Sequence, residues 1–207
     1  MEKLVLLSVL FSLASCNSQC FLEKKDKCES KAWEELLEAD LYDYCSTKPK
    51  IIKCIKTAAT DCRMGFQKES EKLLSAITDV CTEGSKLNKD LKKHEKCLEK
   101  AVSESTHCLK PITEIMEKKG DLTPDEIVEV QRIGCLNIDK IKECMFESAK
   151  SLCGSEADTF QRTIYEPEAD VQKKVCSEVM KVQLEKRANG NTEVRLLSSF
   201  LAPFTMM

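Results

Sequence analysis

Cysteine is the residue that most constrains how this chain can fold, since thirteen of its 207 residues are cysteines. An oxidising compartment drives thiols into pairs, whereas a cytosolic chain keeps them reduced. The odd count needs an explanation within the chain. If a leader that contains Cys16 is removed, twelve cysteines remain, and these can pair into six disulfides.

The first residues have the pattern of a secretory signal. Two charged residues precede an apolar run from Leu4 to Leu13, and small residues follow it. This run is too short for a membrane-spanning helix, which needs about 20 apolar residues. We predict a signal peptide at residues 1–16, a mature chain from Asn17, a secreted extracellular protein and no transmembrane span.

Two alternatives concern the same region. Cleavage after Ser18 would also remove Cys16 and leave an even number of cysteines. The stretch Leu13-Ala14-Ser15-Cys16 also resembles a bacterial lipoprotein box, in which Cys16 would carry lipid. Twelve further cysteines are unusual in such a lipoprotein, which favours the signal peptide.

The remaining cysteines follow a spacing that occurs twice. The first occurrence is Cys45-x8-Cys54-x7-Cys62-x18-Cys81, and the second is Cys135-x8-Cys144-x8-Cys153-x22-Cys176. Two more cysteines precede each block, Cys20 and Cys28 in the first half and Cys97 and Cys108 in the second. Six cysteines in each half indicate an ancestral duplication, with chance similarity between two amphipathic stretches as the alternative. We predict that all twelve are structural disulfide cysteines.

The repeat suggests how the chain is divided. After the signal peptide, we predict a first cysteine-rich helical half at 17–92, a second at 93–188 and an apolar tail at 189–207. The tail could pack over the helices, be disordered, line an apolar groove or serve as a lipid-anchor signal. The two halves are expected to form one continuous helical body.

Apolar residues recur at helical spacing through nearly every segment, and the fold is predicted to be all-α, stapled by disulfides and built from two similar halves. Aromatic residues make up 5% of the chain and charged residues 32%, a composition that suits amphipathic helices better than sheets. Thr123, Pro124 and Glu126 form a helix start with a capping box. Pro111 is expected to interrupt one helix, and Pro167 to separate a short helical piece from the last helix.

The cysteines of the middle helix in each half allow a geometric prediction. At about 100° per residue, Cys54 and Cys62 lie about 80° apart around the helix axis, and Cys144 and Cys153 about 180° apart. Neither pair can bridge itself, because a disulfide spans only about 5–6 Å between Cα atoms. Each middle helix should therefore be bonded to two different neighbours.

The sequence lacks the residue patterns expected of a metal site, of nucleophilic catalysis and of nucleic-acid binding. No Cys-x-x-Cys pair occurs, and the two histidines, His94 and His107, are far apart in sequence, so no metal and no cofactor are predicted. His94 lies on a charged helix face, and His107 precedes a cysteine expected to be oxidised, so neither has a nucleophile to activate. The formal net charge is -3 with interspersed signs, which offers no basic face for nucleic acid. We predict that the protein is not an enzyme.

The segment Tyr44–Ile55, with Cys62 and Cys81 after it, resembles the small cysteine-rich haemolymph glycoproteins of insects and other arthropods. The twelve-cysteine count also resembles a family of secreted helical nematode and arthropod domains of unknown function. The likeness covers most of residues 20–176. Both families imply extracellular helical proteins without established catalytic residues.

Two classes of function follow as expectations. The first is a carrier of a small hydrophobic ligand, or another component of a body fluid or of a secretion such as venom or saliva. The second is an effector that targets another extracellular protein, as a toxin-like or immune component does. A carrier should enclose an apolar cavity, whereas an effector should present its contact residues on an exposed face.

Overall fold

The computed structural model describes residues 2–38, 43–116 and 123–181. These segments form seven α-helices, which are α1 (Glu2–Glu38), α2 (Tyr44–Asp61), α3 (Gln67–Cys81), α4 (Lys86–Glu104), α5 (Lys110–Met116), α6 (Pro124–Cys153) and α7 (Ser155–Val175). A 3₁₀ turn at Thr106–Leu109 and a π-helical segment at Cys176–Met180 follow α4 and α7. None of the described residues lies in a β-strand, which confirms the all-α prediction.

The apolar tail predicted at 189–207 lies outside the described residues. Among the helices that are described, none combines the length and the apolar character needed to cross a membrane.

Polar side chains fix where several helices begin. Asp43 accepts hydrogen bonds from the backbone N–H groups of Cys45 and Ser46 and so caps α2. At the start of α6, the Thr123 hydroxyl accepts from the Glu126 N–H at 3.4 Å, and the Glu126 carboxylate accepts from the Thr123 N–H at 2.9 Å. This reciprocal pair is the predicted capping box, and Gly154 ends α6 with a positive φ of 86°.

Pro111 and Pro167 both lie within helices, whereas the sequence predicts that they interrupt them. Pro167 lies inside α7, which runs unbroken from Ser155 to Val175. Ile164 and Ala169, on either side of Pro167, are both buried, so packing outweighs the lost backbone hydrogen bond. The break after α4 comes at Ser105 rather than at Pro111, because the Ser105 hydroxyl bonds back to the Ala101 carbonyl where the helix ends.

The chain divides into two compact units. The described residues up to Leu74, together with those from Lys174 onward, form the first unit, and Ser75–Lys173 form the second. Each unit therefore contains segments from both halves of the sequence. The halves predicted at 17–92 and 93–188 stay a prediction.

The first unit has its core where α1 packs against α2. Phe21 and Leu22 of α1 are fully buried, as is Ala59 of α2, and Ile52 is 3% exposed. The ring of Phe66, in the turn after α2, meets the Phe21 ring edge-on with 5.2 Å between centroids. This turn therefore packs against α1 through the two rings. The buried apolar residues hold α1 against α2 in the middle, and the turn holds them together at one end.

The π-helical segment closes the first unit through Glu178. Its carboxylate Oε2 accepts a hydrogen bond from the Gly65 N–H at 2.7 Å, and its backbone carbonyl accepts one from the Ser18 hydroxyl at 2.9 Å. A Cβ at residue 65 would lie 2.5 Å from Glu178 Oε1, so glycine is the residue that permits this approach. One residue thus joins α1, the α2–α3 turn and the carboxyl-terminal helical segment.

The second unit is organised around α6, the 30-residue helix. A small buried cluster joins Ile141 and Met145 of α6 to Cys108 of the 3₁₀ turn. On α6 itself, Phe146 is 1% exposed and Ala149 is fully buried. This long helix therefore supplies much of the apolar surface on which the unit is assembled.

We expect Thr123→Ala to lower the free energy of unfolding by about 1 kcal/mol, because it leaves the Glu126 N–H without its cap. Thr123→Ser is the matched control, since it keeps the hydroxyl and should lose only a small part of this stability. Denaturant unfolding of the oxidised protein measures both variants. Equal stability of the two variants would contradict the assignment of the cap.

Candidate functional site

All twelve predicted cysteines are disulfide-bonded, and Cys16 is a free, exposed thiol. The first unit contains Cys20–Cys62 and Cys28–Cys54, and the second contains Cys97–Cys153 and Cys108–Cys144. Their Cα–Cα distances run from 5.5 Å for Cys28–Cys54 to 5.8 Å for Cys97–Cys153, within the usual range for disulfides. Four more cysteines, Cys45, Cys81, Cys135 and Cys176, are also disulfide-bonded.

The order of pairing is the same in both halves of the sequence. Counted along each half, the first cysteine pairs with the fifth and the second pairs with the fourth. This nested order joins two segments that run antiparallel, since the partner numbers fall as the first numbers rise. The third and sixth cysteines of each half are the four whose bonds lie outside this nested set.

The first half corrects one geometric prediction. Cys54 and Cys62 do not bond each other, as expected, but both bond the same neighbour, α1, through Cys28 and Cys20. An apolar face that packs on one helix is about 100° wide, so two cysteines about 80° apart fit within it. The prediction of two different neighbours is therefore wrong for this half.

In the second half, the cysteines of α6 do bond two different elements. Cys153 pairs with Cys97 of α4, and Cys144 pairs with Cys108 of the 3₁₀ turn. Cysteines about 180° apart on α6 face opposite sides, and one straight helix could not reach both. The chain can bond both because it leaves the α4 helix at Ser105.

A histidine lies against the Cys108–Cys144 disulfide. His107 Nε2 is 3.6 Å from Cys108 Sγ and 3.5 Å from Cys144 Sγ. The other ring nitrogen, Nδ1, is 3.2 Å from the Glu104 carbonyl oxygen. The ring is exposed to solvent, while Cys108 is buried. The imidazole is thus held by the backbone with Nε2 directed at the two sulfurs.

Among the described residues, His107, Cys108 and Cys144 form the group whose potential ligand atoms are close enough to hold a metal ion. These three atoms all lie within 4.8 Å of one another. Metal ligation by cysteine requires thiolates. Both sulfurs are in a disulfide, so the arrangement in the oxidised protein does not offer a metal site.

A line of alternating charges joins α6 to α7. Asp139 of α6 binds Lys173 at 2.5 Å and Lys142 at 3.6 Å. Glu143 lies 3.3 Å from both Lys142 and Arg162. We call these five residues the charge ladder.

The charge ladder changes the acidity of its carboxylates. The hydrogen bond from Lys173 holds the pKa of Asp139 below its ordinary value of 3.8. Partial burial opposes ionisation of Glu143, yet Lys142 and Arg162 outweigh it and hold the pKa of Glu143 below 4.5. Both acids are therefore ionised under any near-neutral condition.

Arg162 links the ladder to the core. Its guanidinium carbon lies 4.3 Å from the centroid of the Phe146 ring, and its Nε donates to Asp158 at 2.9 Å. The stacked cation and the charge-assisted hydrogen bond hold one edge of a recess between α6 and α7.

The recess is a shallow depression without enclosed space for a water molecule, and it is lined by Lys142, Met145, Phe146, Gln161 and Tyr165. Its floor is apolar, and Gln161 is 2% exposed. Within the described part of the chain, the Gln161 Oε1 atom accepts no hydrogen bond. The recess therefore combines an apolar surface with an unused acceptor.

A buried ion pair lies on α1 in the first unit. Lys25 Nζ is 3.0 Å from Glu29 Oε2 and 3.0 Å from Asp26 Oδ1, and the Lys25 side chain is 1% exposed. Such pairs are costly to desolvate, so the attraction between the charges is largely offset.

Sequence reasoning identified the cysteines but missed the ladder and the recess. The spacing of Asp158, Arg162 and Glu166 at i, i+4 is readable on a helix. The contact of Arg162 with Phe146 is not, because it depends on how α7 packs on α6. Likewise, the sequence places His107 beside Cys108 but not beside Cys144.

We expect Arg162→Lys to destabilise the protein by about 1 kcal/mol more than Arg132→Lys does. Both arginines bind carboxylates, Arg132 through two hydrogen bonds to Glu129, but Arg162 also stacks on Phe146. A lysine keeps the charge and loses the planar contact. Chemical denaturation of the two oxidised variants gives the difference, and equal losses would show that the stacking adds no stability.

Acidification should weaken the charge ladder. A carboxylate whose pKa is lowered by folding stabilises the folded state above its unfolded pKa, and this stabilisation is lost as the pH falls through the lowered pKa. The contribution of Asp139 and Glu143 should thus be complete at neutral pH and decline below about pH 4.5. The free energy of unfolding, measured with denaturant, should therefore fall less between about pH 6 and about pH 3 in the double variant Asp139→Asn, Glu143→Gln than in the unaltered protein.

Glu95→Gln, at an exposed position of α4, is the control for that measurement. It should keep the pH dependence of the unaltered protein. If the double variant also kept it, the ladder would contribute nothing to acid stability.

Comparison with known proteins finds no family model, no curated protein and no solved structure that matches the chain.

Proposed function

We propose that this protein is secreted and acts outside the cell as a non-enzymatic binding protein that engages a protein partner through its exposed surface. The observation that carries the proposal is the complete oxidation of twelve cysteines, eight of which pair in the same nested order in the two halves. That identical order also supports an origin by duplication. The resemblance to the cysteine-rich secreted proteins of arthropods and nematodes agrees with it.

The disulfides support an extracellular site of action. Each contributes about 2–4 kcal/mol, mainly by restricting the unfolded chain, and such bonds persist in oxidising compartments. The free thiol, Cys16, lies in the predicted signal peptide. Its removal would leave a mature protein in which every cysteine is paired.

The packing of α1 supports a mature chain that starts at Asn17. The residue after it, Ser18, is 1% exposed and donates to the Glu178 carbonyl, and Phe21 and Leu22 are fully buried. Cleavage after Ser18 would remove that hydrogen bond, whereas cleavage after Cys16 keeps it. This packing supports the earlier cleavage site.

The histidines support binding over catalysis. His107 contacts an oxidised sulfur pair, and the His94 ring lies 6.3 Å from the Phe160 ring. Within the described residues, neither ring hydrogen-bonds to a hydroxyl group that it could activate as a nucleophile.

The dimensions of the recess favour a protein partner over a carried lipid. Sites for small molecules usually measure about 300–1,000 Å³, whereas the recess between α6 and α7 is a shallow depression without enclosed space for even a water molecule. A shallow depression of this kind offers a contact surface rather than an enclosed ligand site. The charge ladder along its rim would then orient the partner by charge complementarity.

A carrier of a small hydrophobic ligand is the second candidate. The unused Gln161 Oε1 atom beside Met145 and Phe146 favours it, because a mostly apolar molecule with one hydrogen-bond donor would satisfy this acceptor.

Secretion of the full chain from a eukaryotic host tests the first part of the proposal. We expect the protein in the medium, an amino terminus at Asn17 and an intact mass that corresponds to six disulfides. Edman sequencing and mass spectrometry with and without reduction measure both. A chain retained in the cytosol with reduced thiols would contradict an extracellular function.

Native mass spectrometry of the secreted protein, followed by solvent extraction, separates the two candidates. We expect a mass without bound ligand and no extractable lipid. A stoichiometric apolar molecule would instead establish the carrier. In that case Gln161→Leu should weaken retention of the molecule, with Gln131→Leu, a second buried glutamine outside the recess, as the control.

A further inference from the structure

The Cys108–Cys144 bond differs from the other three bonds within the compact units. It alone among these four has a ring nitrogen of a histidine against its sulfurs, at 3.6 Å and 3.5 Å. Cys97–Cys153, in the same unit, has a backbone carbonyl near it instead, that of Leu152 at 3.6 Å from Cys97 Sγ. The two bonds of the second unit thus have electrically different surroundings.

The hydrogen bonding of His107 fixes which nitrogen faces the sulfurs. The Glu104 carbonyl can only accept, so the Nδ1 atom 3.2 Å away carries a hydrogen. Nε2 is therefore the ring nitrogen that faces the two sulfurs. When the ring is protonated, Nε2–H can donate to either sulfur.

The two sulfurs differ in their access to solvent. Cys108 is 5% exposed and packs against Ile141 and Met145, whereas Cys144 is half-buried at the edge of this cluster. An external thiol can approach Cys144 more easily, and Cys108 would then be the leaving sulfur. Cys108 is also the sulfur enclosed between the core and the imidazole.

From this arrangement we propose that Cys108–Cys144 is a thiol-exchange site, at which a small external thiol forms a mixed disulfide with Cys144. The electron pair of the incoming thiolate forms the new bond to Cys144 Sγ. The pair of the broken S–S bond leaves on Cys108 Sγ, which takes the Nε2 proton of the imidazolium form of His107, and the ring regains a proton from solvent. The external thiol is the reductant, and its sulfur is oxidised as Cys108 is reduced.

The imidazole makes Cys108 the better leaving group. A thiolate beside a protonated histidine is stabilised, and exchange is faster when the leaving sulfur is more stable as its thiolate. The other described bonds have no such donor.

The second unit is expected to stay folded when the Cys108–Cys144 bond is opened. Cys97–Cys153 still joins α4 to the end of α6. The apolar cluster of Ile141 and Met145, with Val102, Leu109 and Ile112 packed against it, still holds the 3₁₀ turn and α5 on α6. The exchange would therefore be a local event at the surface of a folded protein.

The test exposes the oxidised, secreted protein to 2-mercaptoethanol at neutral pH, quenches with acid, alkylates free thiols and maps the peptides. We expect the mercaptoethanol adduct on Cys144 and the alkyl group on Cys108. Opening of this bond should be about tenfold faster than opening of Cys97–Cys153 in the same sample. An adduct mainly on Cys108, or equal rates for the two bonds, would overturn the proposal.

The role of the histidine is tested with His107→Gln, which should slow the opening of Cys108–Cys144 by about tenfold and leave Cys97–Cys153 unaffected. His94→Gln, which alters the other histidine, is the matched control and should keep both rates. An unchanged rate in His107→Gln would remove the imidazole from the mechanism. The adduct position and the rate order come from the unaltered protein, so they decide the proposal even if this variant does not fold.

Discussion

Pairs of disulfides between antiparallel helical segments are the constraint on which the two compact units depend. In the first unit, α2 is bonded to α1 at Cys28–Cys54 and Cys20–Cys62, and in the second, α6 is bonded at Cys97–Cys153 and Cys108–Cys144. Two bonds along one interface fix both the distance and the register of the helices. A chain with 32% charged residues can then keep strongly polar outer faces, because the covalent bonds supply part of the stability that a larger apolar core would otherwise provide.

In α6, two disulfides anchor the helix while another of its faces forms ion pairs with α7. Its cysteines anchor it to α4 and to the 3₁₀ turn, and its face toward α7 carries Asp139, Lys142 and Glu143. The ion pairs there add little stability individually, since exposed pairs are worth about 0–1 kcal/mol. Their regular alternation of sign nevertheless gives this part of the surface a defined electrostatic pattern beside the recess, which is the kind of feature that determines the choice of a partner.

Disulfides in one protein need not have one role. Cys28–Cys54 and Cys20–Cys62 lie beside the buried core of the first unit, and Cys54 and Cys62 are themselves buried. Cys108–Cys144 has an exposed histidine against it and one half-buried sulfur. The difference arises from the turn at Ser105, which ends α4 and leads the chain into the 3₁₀ turn that holds His107 and Cys108. Within the second unit, this break separates Cys97 on α4 from Cys108, which lies beside the histidine.

The sequence by itself determined the features that depend on local spacing. The all-α class, the capping box at Thr123, the end of α6 at Gly154 and the disulfide state all follow from periodicity, backbone preferences and cysteine count. The tertiary structure decided which neighbours the helices contact. Cys54 of α2 and Cys62 at its carboxyl end both bond α1, because about 80° fits within one packing face. The helix α7 continues through Pro167 because the residues around it are buried. The meeting of His107 with Cys144 and of Arg162 with Phe146 joins residues that are distant or on different helices, and no local pattern encodes such contacts.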